Sequence, residues 1–473
     1  MILKIARKEI KEIVREGRFR ITAILVTTLL IASVFVSHSY YRSINEQHNQ
    51  AKINARNEWT GQGKKNPHSA AHYGTYAFKP KYPLSLIDNG VDKYSGVSIY
   101  LEAHKRNDSQ YMAAQDQTAL SRFGDLTPDF VLVFVIPLLI ILMGFNAFTR
   151  ERESGTLRLL QSQGVKTAYM AWGKWLGIFI PVLIITIPMY IIAAILLNSV
   201  NDYGEFSMGA LTLLFVIYLV YYAVFTNITL AVSAWLKKSN MAFVTLLGIW
   251  ILSCLAMPKV STAIADAWYP YPTQVEFEAQ IAEDKKKGLD GHNPWNAEAK
   301  ELEQETLKKY GVDSVQQLPF NWGGFLMQEG EKHSADIYFK HYQLLKDTYT
   351  NQSRVYRATA AFSPFLPTRF LSMAISRTDY NAHWHFADAA EKYRLVLVGK
   401  MNGHMVENSK TGDWDYLAGE EVWMSVPEFE YEPVAYASIL NTNGSNLATL
   451  LAWLVFSFTA LYAGTKRLQE HHQ

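Results

Sequence analysis

The sequence predicts a polytopic α-helical membrane protein with six transmembrane helices, an N-terminal interfacial helix and two large α+β extracytoplasmic domains. Three observations lead to this prediction. Apolar residues cluster into runs of about 16 to 25 residues, close to the length that a helix needs to cross a bilayer. Short basic segments follow alternate runs. Two long polar segments, rich in Tyr and Trp, separate the runs into groups.

The composition argues against several other classes of protein. The 473 residues carry a net charge of +2 and show no basic stripe interleaved with aromatic residues, so nucleic acid is not an expected partner. Cys254 is the only cysteine, which excludes an intramolecular disulfide. The first residues lack the apolar core and cleavage site of a signal peptide, so the first apolar run is expected to remain as an uncleaved anchor.

Residues 1–20 predict an amphipathic helix that lies in the membrane interface. Its apolar face comprises Ile2, Ala6, Ile10, Ile13 and Gly17. Its basic face comprises Lys4, Arg7, Lys8, Lys11 and Arg15. Basic side chains of such a helix meet anionic headgroups, and the same charges also set the orientation of the first span.

Six spans are predicted from the apolar runs. They cover residues 21–37, 128–148, 176–197, 208–235, 241–257 and 446–464. The fourth and fifth also fit a single hairpin with its break at residues 237–240. Pro181 and Pro188 fall inside the third span, where neighbouring helices satisfy the carbonyl groups that a proline frees.

The charges of the short segments predict the orientation. Basic residues occur in the N-terminal segment, after span two, between spans four and five, and in the tail, whereas the loop Asn201–Glu205 has none. Because basic residues of short loops remain on the cytoplasmic side, both termini are expected on the cytoplasmic side of a bacterial inner membrane. Residues 149–175 then form a cytoplasmic coupling loop, residues 465–473 a cytoplasmic tail, and residues 38–127 and 258–445 the extracytoplasmic domains.

The two long segments differ in predicted secondary structure. In the first, the helix of span one continues through Trp59, and the alternating run Val97–Leu101 predicts a strand. In the second, helices are expected at 272–287, 325–361 and 387–399, together with one capped near Asn293 with Pro294 in its first turn. The prolines of Ser363–Pro367 are expected to end the 325–361 helix. Residues 414–436 read as strand.

The charged segment that follows span two carries the main functional prediction. Four ionisable residues, Arg150–Glu153, cannot remain in hydrocarbon, and Thr156–Leu160 reads as a short amphipathic helix after Gly155. Alone, the segment fits a solvated helix end with anchoring arginines. In its context it resembles the first cytoplasmic loop of ABC-2 type transporter permeases, which forms a coupling helix that docks on the ATPase subunit. The matching positions are Glu151, Arg152, Glu153, Gly155, Thr156, Leu157 and Leu160.

This resemblance implies a set of partners. Glu151 and Glu153 are expected to meet basic groups of an ABC ATPase dimer, and Leu157 and Leu160 to fill its groove. No phosphate-binding loop is present, since residues 163–167 lack the required glycine spacing, so ATP and Mg²⁺ are expected on a separate subunit. A second copy or a paralogue is the expected permease partner.

The long inserts resemble a branch of these permeases that is known by a domain of unknown function. The matching stretches are residues 66–74, 101–104, 378–380, 385–394 and 427–431. The chain is therefore expected to be the permease of an exporter or of a force-transmitting complex that acts on a periplasmic protein or a hydrophobic, lipid-like substrate. The alternative is a membrane-anchored receptor or assembly scaffold without ATPase coupling.

Enzymatic and metal sites are less favoured by the sequence. Asp379, Asp388 and Glu391 lack a nucleophile-and-base pattern, and capping by Asp388 and an ion pair from Glu391 to Arg394 explain them. Five histidines of the long segments are metal candidates because His68 and His72, four apart, share one face of a helix. Solvated or core histidines are nevertheless favoured over a metal site. The candidates are His68, His72, His104, His383 and His385.

Overall fold

The computed structural model of the chain describes residues 1–112, 126–199 and 206–470. Within these residues, six helices are long and apolar enough to cross a membrane. They are Gly17–Thr60, Pro128–Glu153, Thr167–Asn198, Met208–Trp235, Ser239–Trp268 and Gly444–Gln469. Each contains one predicted span, so the prediction of six helices of spanning length is confirmed. The predicted acidic loop Asn201–Glu205 lies outside the described residues.

The N-terminal part of the chain is two helices with a sharp break. Helix α1 (Ile2–Arg15) ends where Glu16 takes an extended conformation with φ −70° and ψ 124°. Helix α2 (Gly17–Thr60) then runs unbroken for 44 residues, which is about 66 Å at the usual rise per residue. The predicted continuation of span one through Trp59 is therefore confirmed. One continuous helix, α2, connects the first span to the first insert.

The first insert, residues 38–127, contains a small sheet as well as the end of α2. Helix α3 (Pro67–Tyr73) precedes an antiparallel sheet of strands β1 (Thr75–Phe78), β2 (Ser98–Glu102) and β3 (Lys105–Gln110). The strand predicted at Val97–Leu101 is confirmed. The turn between β2 and β3 contains His104, whose backbone φ of 66° lies in the left-handed region.

The middle of the chain is helical. Its elements are α4 (residues 128–144), α5 (Thr149–Glu153), α6 (Thr156–Ser162), α7 (Thr167–Asn198), α8 (Met208–Trp235) and α9 (Ser239–Trp268). Both α4 and α9 contain a π-helical turn, at Val131–Val135 and Ile251–Ala256. Tyr221, Tyr222 and Trp250 donate hydrogen bonds of 3.0–3.1 Å to consecutive carbonyl groups of the first turn. Internal donors are needed there because hydrocarbon offers none.

The second insert, residues 258–445, is helical and leads to the last span. Its helices are α10 (Gln274–Lys286), α11 (Ala297–Tyr310), α12 (Trp322–Thr359), α13 (Phe365–Ile375), α14 (Tyr380–Asn408), α15 (Glu420–Ser425) and α16 (Tyr436–Thr442). Helix α17 (Gly444–Glu470) follows. Helices α10, α12 and α14 confirm three of the predicted helices, and α14 is longer than predicted at both ends.

One helix of this insert begins later than predicted, and another was not predicted. Helix α11 begins at Ala297, and Asn296 rather than Asn293 is its cap, accepting a 2.8 Å hydrogen bond from the Ala299 amide. The segment Ser363–Pro367 ends α12 as predicted but also begins α13, which was not predicted. Proline is tolerated in the first turn of a helix because those amides have no intrahelical acceptor.

The predicted strand at residues 414–436 was also wrong. This segment contains the short α15, and Pro427–Tyr431 belongs to no helix or strand. The rings of Phe429 and Tyr431 instead pack on Phe386, with centroids 6.1 and 5.5 Å away. The second insert, described throughout, has no strand, so its predicted α+β character is wrong, and the first insert contains only a small three-stranded sheet.

The spans and α13 share the largest hydrophobic cluster of the described residues. Helix α8 lies at its centre, in contact with α4, α7, α9, α13 and α17. The Tyr218 hydroxyl of α8 lies 2.6 Å from Ser372 Oγ of α13. Helix α13 therefore belongs to the second insert in sequence and to the bundle of spans in packing.

The two inserts share a second core. Trp59 and Ala71 of the first insert pack in one cluster with Leu397, Met401 and Trp423 of the second. The Trp59 indole also donates a 2.9 Å hydrogen bond to the Trp423 carbonyl group. Two domains were predicted from the sequence, but their described residues bury apolar surface against each other.

Candidate coupling surface and histidine cluster

Helices α5 and α6 form a sharp corner in the loop after span two. Gly155 separates them with a φ of +74°, a left-handed conformation that favours glycine over residues with a Cβ. Gly155 and Thr156 are exposed at this break. The predicted short helix Thr156–Leu160 is present as the first five residues of α6.

The inner side of α5 is held by a buried ion cluster. Glu151 Oε1 lies 2.8 Å from the Lys174 ammonium group, which also lies 2.9 Å from Glu9 Oε1. Lys174 is 2% exposed. Lys8, at the rim, lies 3.1 Å from Glu9 and 3.5 Å from Glu151. One lysine of α7 therefore joins carboxylates from α1 and α5, which are more than a hundred residues apart in sequence.

The charges in this cluster compensate each other. Burial by itself would raise the pKa of Glu9, but the ammonium groups of Lys174 and Lys8 more than offset burial and lower that pKa. Removing one member of a buried ion pair leaves an uncompensated charge, at a cost of about 3–5 kcal/mol. The cluster therefore fixes α5 against α1 and α7.

Helix α1 packs directly on α7 beside this cluster. A Cβ atom placed on Gly173 would lie 2.5 Å from the Ile5 Cβ, and one on Gly177 would lie 2.5 Å from the Glu9 Cβ. Both contacts are too short for any side chain. Part of the apolar face predicted for α1 is therefore buried within the protein, at Ala6 and Ile13.

Two further charged residues of α5 bind the end of α8 and the start of α9. Arg152 donates hydrogen bonds to the carbonyl groups of Leu236 and Ala234, the latter at 2.9 Å. Glu153 accepts 2.8 Å hydrogen bonds from the amide and the hydroxyl group of Ser239. The loop is therefore attached to α8 and α9 as well as to α1 and α7.

The predicted coupling residues divide into an inner and an outer set. Glu151 and Leu157 are buried, and Leu157 is 1% exposed within the main core. Leu160 is partly buried against the same core. Leu159, which the sequence analysis did not select, is 58% exposed beside the exposed Arg158. The expectation that Leu157 enters a partner's groove therefore conflicts with its position, and Leu159 is the leucine available for contact.

A shallow cavity of about 590 Å³ adjoins this exposed face. Its lining combines residues of α6, the start of α7 and the end of α17. They include Arg158, Gln161, Gly164, Lys166, Thr167 and Gln469. Gln161 also donates a 3.1 Å hydrogen bond to the Leu468 carbonyl group. The end of α17 and helix α1 thus contact the same loop region from two sides.

A second candidate site is a cluster of histidines at the joint between the inserts. Three of the five predicted candidates, His68, His72 and His104, converge, and His292 of the second insert joins them. One ligand atom from each lies within 4.8 Å of every other. His383 and His385 lie elsewhere, against Ser109 and Tyr431 at 3.3 and 2.9 Å.

Local structure explains how each ligand is positioned. Asn66 caps α3 by accepting hydrogen bonds from the His68 and Ser69 amides, and the resulting helix aligns His68 with His72. The Asp290 carboxylate accepts a 3.0 Å hydrogen bond from the His292 amide in a tight turn before α11. No sequence signal identified His292, because its approach depends on packing between the inserts.

Polar partners orient two of the four imidazoles from behind. His68 Nδ1 lies 3.0 Å from Asn402 Oδ1, and His104 Nδ1 lies 2.9 Å from Glu331 Oε2. Burial lowers the pKa of His68 to about 4, although the hydrogen bond to the Asn402 oxygen opposes this. Burial would raise the pKa of Glu331, but His104 and Arg394 lower it to about 2.

The carboxylates considered for hydrolysis have structural partners. Glu391 pairs with Arg394 through two 2.8 Å contacts, as predicted, and Arg394 also binds Glu331. Asp388 is not a cap but pairs with Arg106 at 2.9 Å and with Lys346. Asp379 is the cap of α14, accepting a 3.0 Å hydrogen bond from the Ala382 amide.

Comparisons with known proteins identify the class of molecule. A model described as ABC-2 family transporter protein matches residues 81–266, from the first insert to the end of α9. A second, the domain of unknown function DUF3526, matches residues 274–432, most of the second insert. The comparison with curated proteins gave no match. The resemblance stated from the sequence is confirmed: residues 81–266 match an ABC-2 transporter membrane component, a DUF3526 match follows, and the chain is a multi-pass membrane protein.

Proposed function

We propose that this permease subunit converts movements of a separate ABC ATPase dimer into movements of its inserts, through the exposed face of α6. The single observation that carries this proposal is the division of the loop. Glu151, Arg152 and Leu157 attach it to α1, α7 and α8, while Leu159 and Arg158 face outward. A loop held rigidly inside and exposed outside transmits a push from a partner to the helices behind it.

Contacts at one end of the bundle support the predicted orientation. Helix α1 and the end of α17 each contact the α5–α6 corner, and basic residues are concentrated there. Under the positive-inside rule this end faces the cytoplasm of a bacterial inner membrane, with both termini. The ATPase then supplies bound ATP and Mg²⁺, and the inserts lie on the periplasmic side.

Helix α8 provides a continuous path from this loop to the inserts. At the loop, Ser233 Oγ accepts a 3.0 Å hydrogen bond from the Phe148 amide. At the other end, α8 contacts α13, whose Arg369 binds Asp88 of the first insert and Asp129 of α4 at 2.8 and 2.6 Å. Displacement of α8 therefore acts on both inserts through packed groups.

The inserts contain a cleft suited to a partner or to a hydrophobic substrate. Its volume is about 390 Å³, and it lies between α2 and residues 428–433, which follow α15. Aromatic and cationic side chains line it, among them Lys52, Arg56, Trp59, Tyr76, Phe429 and Tyr431. This lining supports docking of a periplasmic protein or lipid-like molecule, for export or for transmission of force, by a complex with a second permease copy or paralogue. A scaffold without an ATPase is disfavoured by the family.

The test is to replace Leu159 by aspartate in the full-length protein. The residues whose loss costs most cluster at the centre of an interface, and a charge placed there is expected to cost about 1.4 kcal/mol, which is tenfold in affinity. ATPase recovery from native membranes and ATP turnover in the purified complex should fall by at least that factor. Leu3→Asp is the matched control, because Leu3 is 75% exposed on α1, outside the loop. Unchanged ATPase recovery with Leu159→Asp, or equal loss with Leu3→Asp, contradicts the proposal.

A further inference from the structure

We propose that His68, His72, His104 and His292 bind one divalent transition-metal ion, preferentially Zn²⁺, which joins the first insert to the second. The ligands come from three separate places in the chain. Two lie on α3, one in the β2–β3 turn and one between α10 and α11. The site is independent of the coupling loop.

The spacing of the ligand atoms fits a single ion. His68 Nε2 lies 3.0 Å from His292 Nε2 and 3.2 Å from His72 Nε2. Four nitrogen atoms around a tetrahedral Zn²⁺, each about 2.0–2.1 Å from it, are separated by about 3.4 Å. These two separations are within a few tenths of an ångström of that value, and the ligand atoms of every other pair lie within 4.8 Å.

Hydrogen bonds behind the cluster fix the tautomer of His68. The Asn402 amide nitrogen donates to Gln328 at 3.1 Å, which turns the Asn402 oxygen towards His68 Nδ1. His68 therefore carries its proton on Nδ1 and presents a lone pair at Nε2. One hydrogen bond would occupy the lone pair of His68 Nε2, but ring nitrogens of both His72 and His292 lie close to this atom. A metal cation can accept the lone pairs of all three nitrogens.

His104 supplies the second observation that points to a ligand. Its Nδ1 faces the Glu331 carboxylate, so its Nε2 also presents a lone pair. That Nε2 atom is buried and makes no hydrogen bond within the described residues. An imidazole backed by a carboxylate is the usual arrangement of a metal-bound histidine, because the carboxylate orients the ring and makes it a better donor.

The ligand set selects the type of ion. Four imidazoles without oxygen ligands suit zinc, copper or nickel and disfavour calcium and magnesium. In a square-planar Cu²⁺ site, two of the six distances between ring centroids are long, because two pairs of rings lie opposite each other. Here a single distance exceeds 5.2 Å, the 6.1 Å between the centroids of His72 and His292. The other pairs lie between 4.4 and 5.2 Å. This compact arrangement favours tetrahedral Zn²⁺.

The ion would lock a joint that the chain already forms. Lys285 of α10 donates a 2.9 Å hydrogen bond to the His104 carbonyl group, beside the site. Three ligands come from the first insert, and His292 is the only one from the second. Metal binding should therefore restrict the segment 287–296 relative to the sheet.

The experiment measures metal in the full-length protein, purified in detergent with a tag that lacks histidine. His471 and His472 are replaced by alanine in the background, so that the chain terminus does not bind metal. After dialysis against buffered free Zn²⁺, one zinc per chain is expected by elemental analysis. His292→Ala and His72→Ala, both at exposed residues, should weaken Zn²⁺ binding by at least about tenfold, and His385→Ala should not.

Two further measurements test the geometry and the joint. Bound Co²⁺ should give the intense visible absorption of a tetrahedral site, and Zn²⁺ should slow hydrogen exchange in residues 287–296. Zinc substantially below one per chain, binding unchanged by His292→Ala, or equal loss with His385→Ala would overturn the proposal. A weak octahedral Co²⁺ spectrum would overturn the four-histidine geometry.

Discussion

Two buried clusters, each with one cation between two carboxylates, hold different parts of this molecule and differ in what lies beyond them. Beside the coupling loop, Lys174 joins Glu9 and Glu151, and the half-exposed Lys8 lies at the rim. In the inserts, Arg394 joins Glu331 and Glu391.

The group at the rim decides what each cluster does. In the cluster around Lys174 this group is Lys8, a second charged side chain that pairs with the same carboxylates, so the cluster holds helices together. His104 lies beyond Glu331 and has a second ring nitrogen that faces its neighbouring histidines. The same buried arrangement therefore serves as an anchor when it ends in lysine and as support for a ligand when it ends in histidine.

The largest expected effect comes from Arg394→Met. This change leaves Glu331 and Glu391 buried without their cation, and the free energy of unfolding of the inserts should fall by about 3–5 kcal/mol. Zinc binding should also weaken, because Glu331 would no longer be held against His104. Thermal unfolding with and without Zn²⁺ measures both effects. Arg354→Met, at an exposed position of α12, is the control, and a comparable loss there would contradict the comparison.

A smaller effect of the same kind is expected from Lys174→Met. Lys8 remains 3.1 Å from Glu9, so the loss should lie towards the lower end of about 3–5 kcal/mol. ATP turnover should fall, while zinc binding should stay unchanged.

A triple variant separates charge from packing at this position. Adding Glu9→Gln and Glu151→Gln to Lys174→Met removes both unpaired charges, so stability should partly recover. No recovery in thermal unfolding would show that Lys174 acts through packing alone.

The smallest effect concerns a histidine without a carboxylate behind it. Burial, together with Lys79, lowers the pKa of His383 to about 3, although Asp92 opposes this shift. The folded state keeps this ring neutral, whereas the unfolded state takes up a proton below about pH 6.5. Stability should therefore decrease as the pH falls below 6.5, by at most about 1.4 kcal/mol over the first pH unit.

His383→Gln should flatten that part of the pH profile in thermal unfolding. His385→Gln, at the neighbouring candidate beside Tyr431, is the comparison variant. An unchanged slope with His383→Gln would mean that other groups produce the pH dependence.

Local signals explain most of what was predicted correctly. The length of the apolar runs located all six helices that are long and apolar enough to cross a membrane. The helix of span one continued to Trp59 because no glycine or proline interrupts it before Gly61. Errors arose where tertiary partners decide. Prolines that were expected only to end α12 also begin α13, which the bundle of spans stabilises by burial. The alternating segment at 427–431 forms no strand, and its aromatic rings pack on Phe386 instead.

The sequence by itself determined the membrane class, the position of the charged loop and the helical register that aligns His68 with His72. These features depend on hydrocarbon thickness and on hydrogen bonds between residues close in the chain. The tertiary structure alone decided that Leu157 faces inward and Leu159 outward, and that His292 joins three distant histidines. Such pairings depend on which surfaces are buried together, and neither spacing nor composition specifies that over two hundred residues.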